Sequence, residues 1–257
     1  MRALRLALIL SLALGTAARA DTTRRMLDDV EAAEFRGVGR LNIAGSRFCT
    51  GTLISDREVL TAAHCLFNPQ TGRRVPDGFL RFVAGQVRDT YAVVAEVGRS
   101  APLTGYGFSG EIEYEDVRID LALIELKTPV APDLAPSLTP GAMEAGAQTV
   151  TIVSYARDRA YTPSIQGGCP LVAMNDGVAV IGCEVIGGIS GSPVLTGAGD
   201  SRRLVAVVSA MGTGRDGAPL ALSVIAAPRL AELRRALANT PLDGADDASH
   251  LRPVRRP

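Results

Sequence analysis

Two histidines are available to this chain for acid–base chemistry, and their surroundings differ sharply. His250 lies in a polar tail rich in proline and arginine, where nothing is expected to hold its side chain. His64 follows an apolar run in the motif LTAAHC at residues 60–65. A lone histidine is more often structural than catalytic. If the protein uses an imidazole base, His64 is the candidate.

An imidazole base needs a carboxylate that fixes its tautomer and stabilises the imidazolium. Asp120 opens a four-residue apolar run in the sequence RIDLALIEL at residues 118–126, a position suited to burial beside a partner. The alternative is an ordinary capping or surface acid, and Asp116 is the nearest competing carboxylate. We expect Asp120 to pair with the imidazole.

A nucleophilic hydroxyl needs a tight turn whose backbone N–H groups can face a developing oxyanion. The sequence GGISGSP at residues 187–193 supplies such a turn around Ser190, and Gly188 can adopt backbone conformations that other residues avoid. The alternative is a plain Gly/Ser turn between strands. The G-x-S-x-G elbow of α/β-hydrolases does not fit, because Ser192 stands where the second glycine is needed and because acid and base there follow the nucleophile.

Short β-branched and apolar runs separated by turn signals make up most of the chain. They predict strands over residues 38–43, 48–54, 58–62, 79–84, 91–97 and 121–126 and, after a Pro-rich break at 129–136, over residues 148–155, 171–174, 178–183, 194–195, 204–209 and 220–225. This spacing favours an all-β sandwich or barrel over βαβ units. One short helix is predicted over residues 230–237, preceded by Pro228.

The two ends of the chain have distinct compositions. Residues 1–20 combine a basic front, a short apolar stretch and a small-x-small cleavage signal, which predicts a signal peptide; the stretch is too short to span a bilayer. We therefore expect a soluble protein, secreted to the periplasm or the medium, without membrane contact once the signal is removed. Residues 21–35 are charged and lack a core-facing period, which predicts a short extension, and the chain beyond residue 238 reads as a frayed tail.

Four cysteines in an oxidising compartment predict disulfides rather than a metal or redox site. A three-residue hairpin loop at residues 175–177 would place Met174 opposite Val178 and, in the same register, Cys169 opposite Cys183. A turn at residues 55–58 brings Cys49 close to Cys65 in the same way. Each bridge would contribute about 3 kcal/mol in the chain-entropy description. The alternative is two free buried thiols in each half.

Charge and composition exclude several other classes of function. Lys and Arg number 27, Asp and Glu also number 27, and no basic run stands out, so the electrostatic footprint of a nucleic-acid-binding protein is missing. Two histidines and four cysteines leave little material for a multi-ligand metal site. We expect neither a cofactor nor a metal.

The order His64, Asp120, Ser190 matches the order of roles in chymotrypsin, and the surrounding motifs make the resemblance specific. The sequences FCTGTLIS (48–55) and VLTAAHC (59–65) resemble the histidine region of trypsin-like serine proteases. DLALI (120–124) resembles their aspartate motif and GISGSP (188–193) their serine motif. LVAVVS (204–209) resembles the strand that pairs with substrate backbone, so Ser209 is expected at the substrate.

This resemblance implies two antiparallel six-stranded β-barrels with the active site in the crevice between them. Residues 36–135 would form the barrel with His64 and Asp120, residues 136–228 the barrel with Ser190, and residues 229–257 a C-terminal helix and tail. Ser190 would attack a peptide carbonyl, His64 would transfer its proton, and the N–H groups of Gly188 and Ser190 would form the oxyanion hole. A monomeric endopeptidase acting on proteins or peptides is implied.

Two departures from the animal digestive relatives bear on activation and specificity. Those relatives carry an aspartate before the nucleophile that pairs with a newly cut N-terminus, but Ile189 cannot form that pair. Together with Cys183, Glu184 and the GxSGSP motif, this pattern resembles the bacterial glutamyl-endopeptidase-like branch, and we hypothesise that no activation switch is needed. Glu184 lies six residues before Ser190, where trypsin carries its pocket acid. It either pairs with Arg or Lys of a substrate or is a surface residue beside a disulfide.

Two other functions compete with the endopeptidase interpretation. A catalytically silent relative would use the crevice between the barrels to bind a protein. A secreted esterase would use the same three residues on ester substrates.

Overall fold

The computed structural model describes residues 22–108, 110 and 114–242, and this part of the chain contains thirteen strands and three α-helices. The predicted signal peptide and the end of the predicted tail, with His250, lie outside the described residues. Within the described part, no helix is both long and apolar enough to cross a membrane.

The N-terminal segment is attached to the rest of the molecule by a short strand and a buried side chain, and a cap stabilises its helix. Strand β1 (Arg25–Met26) pairs antiparallel with residues 164–165, and Leu27 is buried at 3% exposure. The Asp28 carboxylate accepts hydrogen bonds from the first turn of helix α1 (Asp29–Glu34) and completes a capping box. The sequence predicted a plain extension here, since a two-residue strand, a cap and three buried apolar side chains at irregular spacing (Leu27, Ala32 and Phe35) give no extended hydrophobic period to detect.

The first half of the chain closes into a six-stranded antiparallel barrel in the order β2-β3-β4-β7-β6-β5. Helix α2 (Tyr114–Val117) lies in the connection between β6 and β7, which are the last two strands of this barrel along the chain. The six strands are β2 (Val38–Ile43), β3 (Arg47–Leu53), β4 (Glu58–Thr61), β5 (Leu80–Ala84), β6 (Val93–Pro102) and β7 (Ala122–Leu126).

The second half forms another six-stranded antiparallel barrel, in the order β9-β10-β13-β12-β11-β8, closed by pairing between β8 and β9. Strand β1 adds to it as a seventh strand beside β9. The strands are β8 (Thr149–Ala156), β9 (Arg159–Asn175), β10 (Val178–Ile181), β11 (Pro193–Thr196), β12 (Arg203–Thr213) and β13 (Pro219–Ile225). The prediction of two six-stranded barrels followed by a short helix is confirmed.

The hairpin between β9 and β10 corrects one detail of the predicted register. Asn175, rather than Met174, pairs with Val178, so the turn contains two residues, both with positive φ. This geometry is favoured in hairpins because its twist matches that of the strands. A β-bulge between Val180 and Ile181 then shifts the register by one residue. The predicted bridge between Cys169 and Cys183 is therefore formed, with 5.5 Å between the Cα atoms.

The predicted bridge between Cys49 and Cys65 is also formed, with 6.2 Å between the Cα atoms. Cys65 lies beyond β4, in a 3-10 turn (Ala63–Leu66), so the two cysteines do not face each other on paired strands as the turn at residues 55–58 suggested. The bridge ties this turn to β3.

Apolar side chains form one cluster inside each barrel and a third between the barrels. Tyr155 on β8 belongs to the third cluster and is fully buried, and its hydroxyl donates a hydrogen bond to the Gln86 carbonyl of the first barrel at 2.9 Å. Burial raises the pKa of Tyr155, so its hydroxyl keeps the proton that it donates. The barrels thus share a common apolar interface that carries a cross-barrel hydrogen bond.

Helix α3 (Leu230–Ala238) follows the second barrel but packs against strands β6 and β7 of the first. Leu233 and Leu237 enter the cluster between the barrels. Arg234 forms two hydrogen bonds to the Glu58 carboxylate on β4, at 2.8 and 2.7 Å.

Replacing Leu233 with alanine tests this attachment. Leu233 is completely buried, so Leu233→Ala removes apolar contacts and leaves a cavity, and we expect it to lower the free energy of unfolding by about 2–5 kcal/mol. The exposed Arg235→Ala on the same helix should change the free energy by no more than about 0.5 kcal/mol. Chemical denaturation of both variants measures the difference, and equal values would contradict the packing of α3 on the first barrel.

Candidate active site

His64 lies in the 3-10 turn that follows strand β4, and two contacts hold that turn. Phe67 donates its N–H to the His64 carbonyl at 3.1 Å, and the disulfide at Cys65 anchors the turn to β3. The imidazole is mostly buried, with 13% of its side chain exposed.

Asp120 lies two residues before strand β7, and both of its carboxylate oxygens contact His64. Its Oδ2 lies 2.7 Å from His64 Nδ1, and its Oδ1 accepts the His64 backbone N–H at 2.8 Å. Of the two acids considered from sequence, the structure therefore places Asp120 on the imidazole. Asp116 lies on α2 instead.

Ser209 and Tyr106 complete the surroundings of the Asp120 carboxylate. The Ser209 hydroxyl donates to Oδ2 at 2.5 Å. Burial raises the pKa of Tyr106, as do the charge of Asp120 and a hydrogen bond to it, so the phenol remains a neutral donor. From the sequence, Ser209 was expected to contact the substrate. In the structure its hydroxyl instead donates a hydrogen bond to Asp120.

The charge state of this cluster follows from its hydrogen bonds. Complete burial alone would raise the pKa of Asp120, but the charge of His64 and the hydrogen bonds from His64 and Ser209 outweigh that effect and lower it. Since an ionised carboxylate only accepts hydrogen bonds, Nδ1 of His64 carries a proton. In the neutral imidazole Nε2 then has the lone pair that accepts a proton from another group, as a general base requires, and in the imidazolium that results the positive charge lies beside the Asp120 carboxylate.

The loop of Ser190 approaches the first barrel closely enough to require glycine. Gly191 has a φ of +84°, and a Cβ there would lie 2.1 Å from the Thr50 carbonyl oxygen and 2.3 Å from Thr61 Oγ1. Its third nearest neighbour is the backbone nitrogen of Ala62, two residues before His64. The chain after Ser190 thus lies against the strands that lead to the imidazole.

A backbone hydrogen bond joins the two barrels at the nucleophile candidate. The Thr50 N–H on β3 donates to the Ser190 carbonyl at 2.8 Å. The Ser190 side chain is half-buried, and among the described residues no hydrogen bond holds its hydroxyl. Hydrogen bonds between a nucleophile and its base are often long without substrate and tighten when substrate binds.

The peptide planes around Ser190 determine where its neighbouring N–H groups point. The Gly187 carbonyl accepts from Arg157 N–H at 2.7 Å, and the Ile189 carbonyl accepts from Ser192 N–H at 3.0 Å. Because N–H and C=O point in opposite directions across a trans peptide, the N–H groups of Gly188 and Ser190 point away from these partners. In the described part of the chain, neither N–H donates to a backbone carbonyl.

Glu184 occupies an open position rather than a closed pocket. Its side chain is exposed and lines a groove of about 1360 Å³, together with Thr22, Gln166 and Arg215. Substrate recognition at this position would therefore take place in contact with solvent.

Cys49, His64 and Cys65 form a compact group of ligand-type atoms, within 4.8 Å of one another. Both sulfur atoms belong to the disulfide and offer no thiolate, so this group does not have the chemistry of a metal site.

Thr50 and Tyr106 are the neighbours of the site that sequence reasoning did not identify. Thr50 lies in the FCTGTLIS motif, but a threonine in a strand indicates β-propensity and gives no signal of a role at the site. Tyr106 lies in a loop with no motif, and its position beside Asp120 depends on the path of that loop.

Comparisons with known proteins identify the family and the fold of the chain. The family model for the trypsin-like peptidase domain matches residues 49–207, and this chain therefore belongs to that family. A solved Glu endopeptidase, in complex with MPD, has the same fold, with a TM-score of 0.69 and 20% identity. The alignment covers 85% of this chain and 98% of that one. No curated protein sequence gives a significant match.

Comparing a glycine substitution in the Ser190 loop with one outside the loop separates the effect of steric contact from that of backbone strain. Gly191→Ala places a methyl group within overlap distance of β3, and we expect it to lower the free energy of unfolding by at least about 2 kcal/mol more than Gly146→Ala. Gly146 has a nearly equal φ of +80°, and a methyl group added there would have no other atom within 4 Å, so its variant reports strain alone, about 1 kcal/mol. Denaturant unfolding measures both, and equal losses would contradict the close approach.

Proposed function

We propose that this protein is a secreted serine endopeptidase that uses Ser190 as nucleophile, His64 as general base and acid, and Asp120 as the group that orients the imidazole. The observation that carries this proposal is the pair of contacts between His64 and Asp120, at 2.7 and 2.8 Å, beside a loop joined to the same barrel through the Ser190 carbonyl. Membership of the trypsin-like peptidase family supports it.

In the proposed reaction, Ser190 Oγ forms a bond to the substrate carbonyl carbon while its proton moves to His64 Nε2. Asp120 stabilises the imidazolium that results, and the oxyanion accepts hydrogen bonds from the N–H groups of Gly188 and Ser190. The C–N bond then breaks, and the leaving amine takes the proton from Nε2. Water attacks the acyl-enzyme and gives its proton to His64, and the C–O bond to Ser190 Oγ then breaks as Nε2 returns the proton to Oγ, which releases the acid product and regenerates Ser190.

Strand β12 supports a peptide as the substrate. Up to Val207 it pairs with β11 on one side, and beyond Ser209 the described part of the chain pairs with it only on the β13 side. An extended peptide could add to the open side of residues 209–213 as a further strand, with backbone hydrogen bonds supplying affinity. This is the role that the sequence assigned to the strand of Ser209.

The structure of the loop that contains Ser190 also supports activity without pairing to a newly cut N-terminus. Ile189 is completely buried in the apolar cluster of the second barrel, where a charged residue would need a partner. Its N–H donates to the Ile186 carbonyl at 3.2 Å, so the turn before Ser190 is closed by backbone contacts. The two disulfides support an oxidising compartment, in agreement with the predicted signal peptide.

A fluorophosphonate probe tests the nucleophile directly. We expect wild-type protein to be labelled at neutral pH and Ser190→Ala to be unlabelled, with peptide hydrolysis reduced by more than about 1000-fold. Ser192→Ala is the matched control, because Ser192 is two residues away, is buried and has a hydroxyl without a hydrogen-bond partner among the described residues; it should label like wild type.

Other outcomes of this experiment would contradict the proposal. Folded wild-type protein that resists the probe would indicate the protein-binding alternative. Labelled protein that hydrolyses esters but not amides of the same acyl group would indicate an esterase.

Profiling cleavage sites on a peptide library tests Glu184. An exposed carboxylate gains little from pairing with a cation, so we expect Glu184→Gln to lower any preference for cleavage after Arg or Lys by no more than about fivefold. Glu144→Gln, another exposed acid, is the control. A loss of more than about 100-fold would show that Glu184 is a desolvated pocket acid in the substrate complex.

A further inference from the structure

The hydroxyl of Thr50 makes one hydrogen bond to the candidate oxyanion loop and another to strand β8. Thr50 is completely buried on β3, and its Oγ1 lies 3.0 Å from the Gly188 carbonyl oxygen. The Tyr155 N–H on β8 donates to the same hydroxyl oxygen at 3.0 Å, and the Tyr155 carbonyl lies further away, at 3.3 Å. Since a hydroxyl has one proton, it donates to the closer Gly188 carbonyl and accepts from Tyr155.

The backbone of the same residue holds the next carbonyl along the loop. Thr50 N–H donates to the Ser190 carbonyl at 2.8 Å, and the Thr50 carbonyl accepts from the Thr61 hydroxyl at 2.9 Å. Every polar group of Thr50 is therefore used, and two of them contact the loop that contains the nucleophile candidate. Thr50 itself belongs to the opposite barrel.

Gly188 needs such a contact because its own backbone is permissive. Its φ is +95°, a region that glycine visits freely, so the peptide between Gly188 and Ile189 is not fixed by side-chain sterics. The neighbouring peptide is held from within the second barrel, by Arg157 N–H on the Gly187 carbonyl. The Gly188 carbonyl receives its hydrogen bond from Thr50.

We propose that the Thr50 hydroxyl is a positioning residue for the oxyanion hole: from the first barrel it fixes the peptide between Gly188 and Ile189, which links the two peptides that carry the Gly188 and Ser190 N–H groups, and so keeps these two N–H groups aimed together into the crevice. This contact comes from across the interface and adds to the backbone hydrogen bond that the Ile189 N–H of the same peptide donates to the Ile186 carbonyl. The inference rests on the proposed endopeptidase function for its kinetic consequences, but its structural part does not depend on activity.

Three variants on one strand test the proposal. Thr50→Val keeps the branched shape and removes the hydroxyl, and Thr50→Ser restores the hydroxyl without the methyl group. Thr52→Val is the matched control, because Thr52 is also completely buried on β3 but its hydroxyl has no hydrogen-bond partner in the described part of the chain. Thermal unfolding confirms that each variant is folded before it is compared.

Kinetics on a peptide amide substrate give the first readout. Because an oxyanion contact acts in the transition state, Thr50→Val should lower kcat about tenfold and leave KM within about twofold of wild type. Thr50→Ser should recover most of the lost kcat, and Thr52→Val should match wild type. A raised KM with unchanged kcat, a Thr50→Ser variant as slow as Thr50→Val, or an equal loss in Thr52→Val would overturn the proposal.

Hydrogen–deuterium exchange of residues 186–192 gives a second readout that needs no catalysis. The loop should exchange about three- to tenfold faster in Thr50→Val and at the wild-type rate in Thr52→Val. Unchanged exchange in Thr50→Val would overturn the positioning role even if the protein is an active peptidase. Faster exchange in Thr50→Val, combined with a wild-type protein that lacks peptidase activity, would instead refute the proposed function and leave the loop contact supported.

Discussion

The geometry of the site depends on how two closed sheets are fixed against each other. Each barrel pairs its own six strands with one another, and no strand of one barrel pairs with a strand of the other in the described residues, so the barrel ladders themselves do not set the relative orientation of the halves. That task falls to the buried interface between them and to a few polar contacts, chiefly those of Thr50 with Ser190 and Gly188. A displacement of about 1 Å at a reacting group can reduce a rate about 100-fold. Contacts of this kind therefore affect the reaction rate more than their small contribution to the free energy of unfolding suggests.

A second constraint is the buried charge of Asp120. A carboxylate without solvent exposure is tolerated only when donors surround it, and His64 and Ser209 supply three hydrogen bonds from two different barrels. The same bonds determine the tautomer of the imidazole. The electrostatic requirement of the acid and the orientation of the base are therefore met by one set of contacts, and the contact from Ser209 exists only when both barrels are in place.

Much of this arrangement was predictable, because its signals are local in sequence. The alternating apolar runs located the twelve barrel strands, and the order of His64, Asp120 and Ser190 matched known motifs. What the sequence did not reveal depends on distant chain segments: Thr50 bonds to a carbonyl 138 residues away, and its role is invisible in a β-strand motif. The hairpin at Asp176 shows a different limit, since a shorter turn followed by a bulge reaches the same cysteine pairing as the longer turn that was predicted.

Each end of the described chain is attached to the half to which it does not belong in sequence. Residues 25–26 precede the first barrel but extend the sheet of the second, while helix α3 follows the second barrel and lies on the first. Arg24 reinforces one attachment through two hydrogen bonds to Asp158, and Arg234 reinforces the other through Glu58. Cleavage of a peptide bond in the Pro-rich connection at residues 129–136 would therefore leave two fragments that remain bound to each other through these two segments. The halves are inseparable as modules, because either one alone would lack a piece that its counterpart carries.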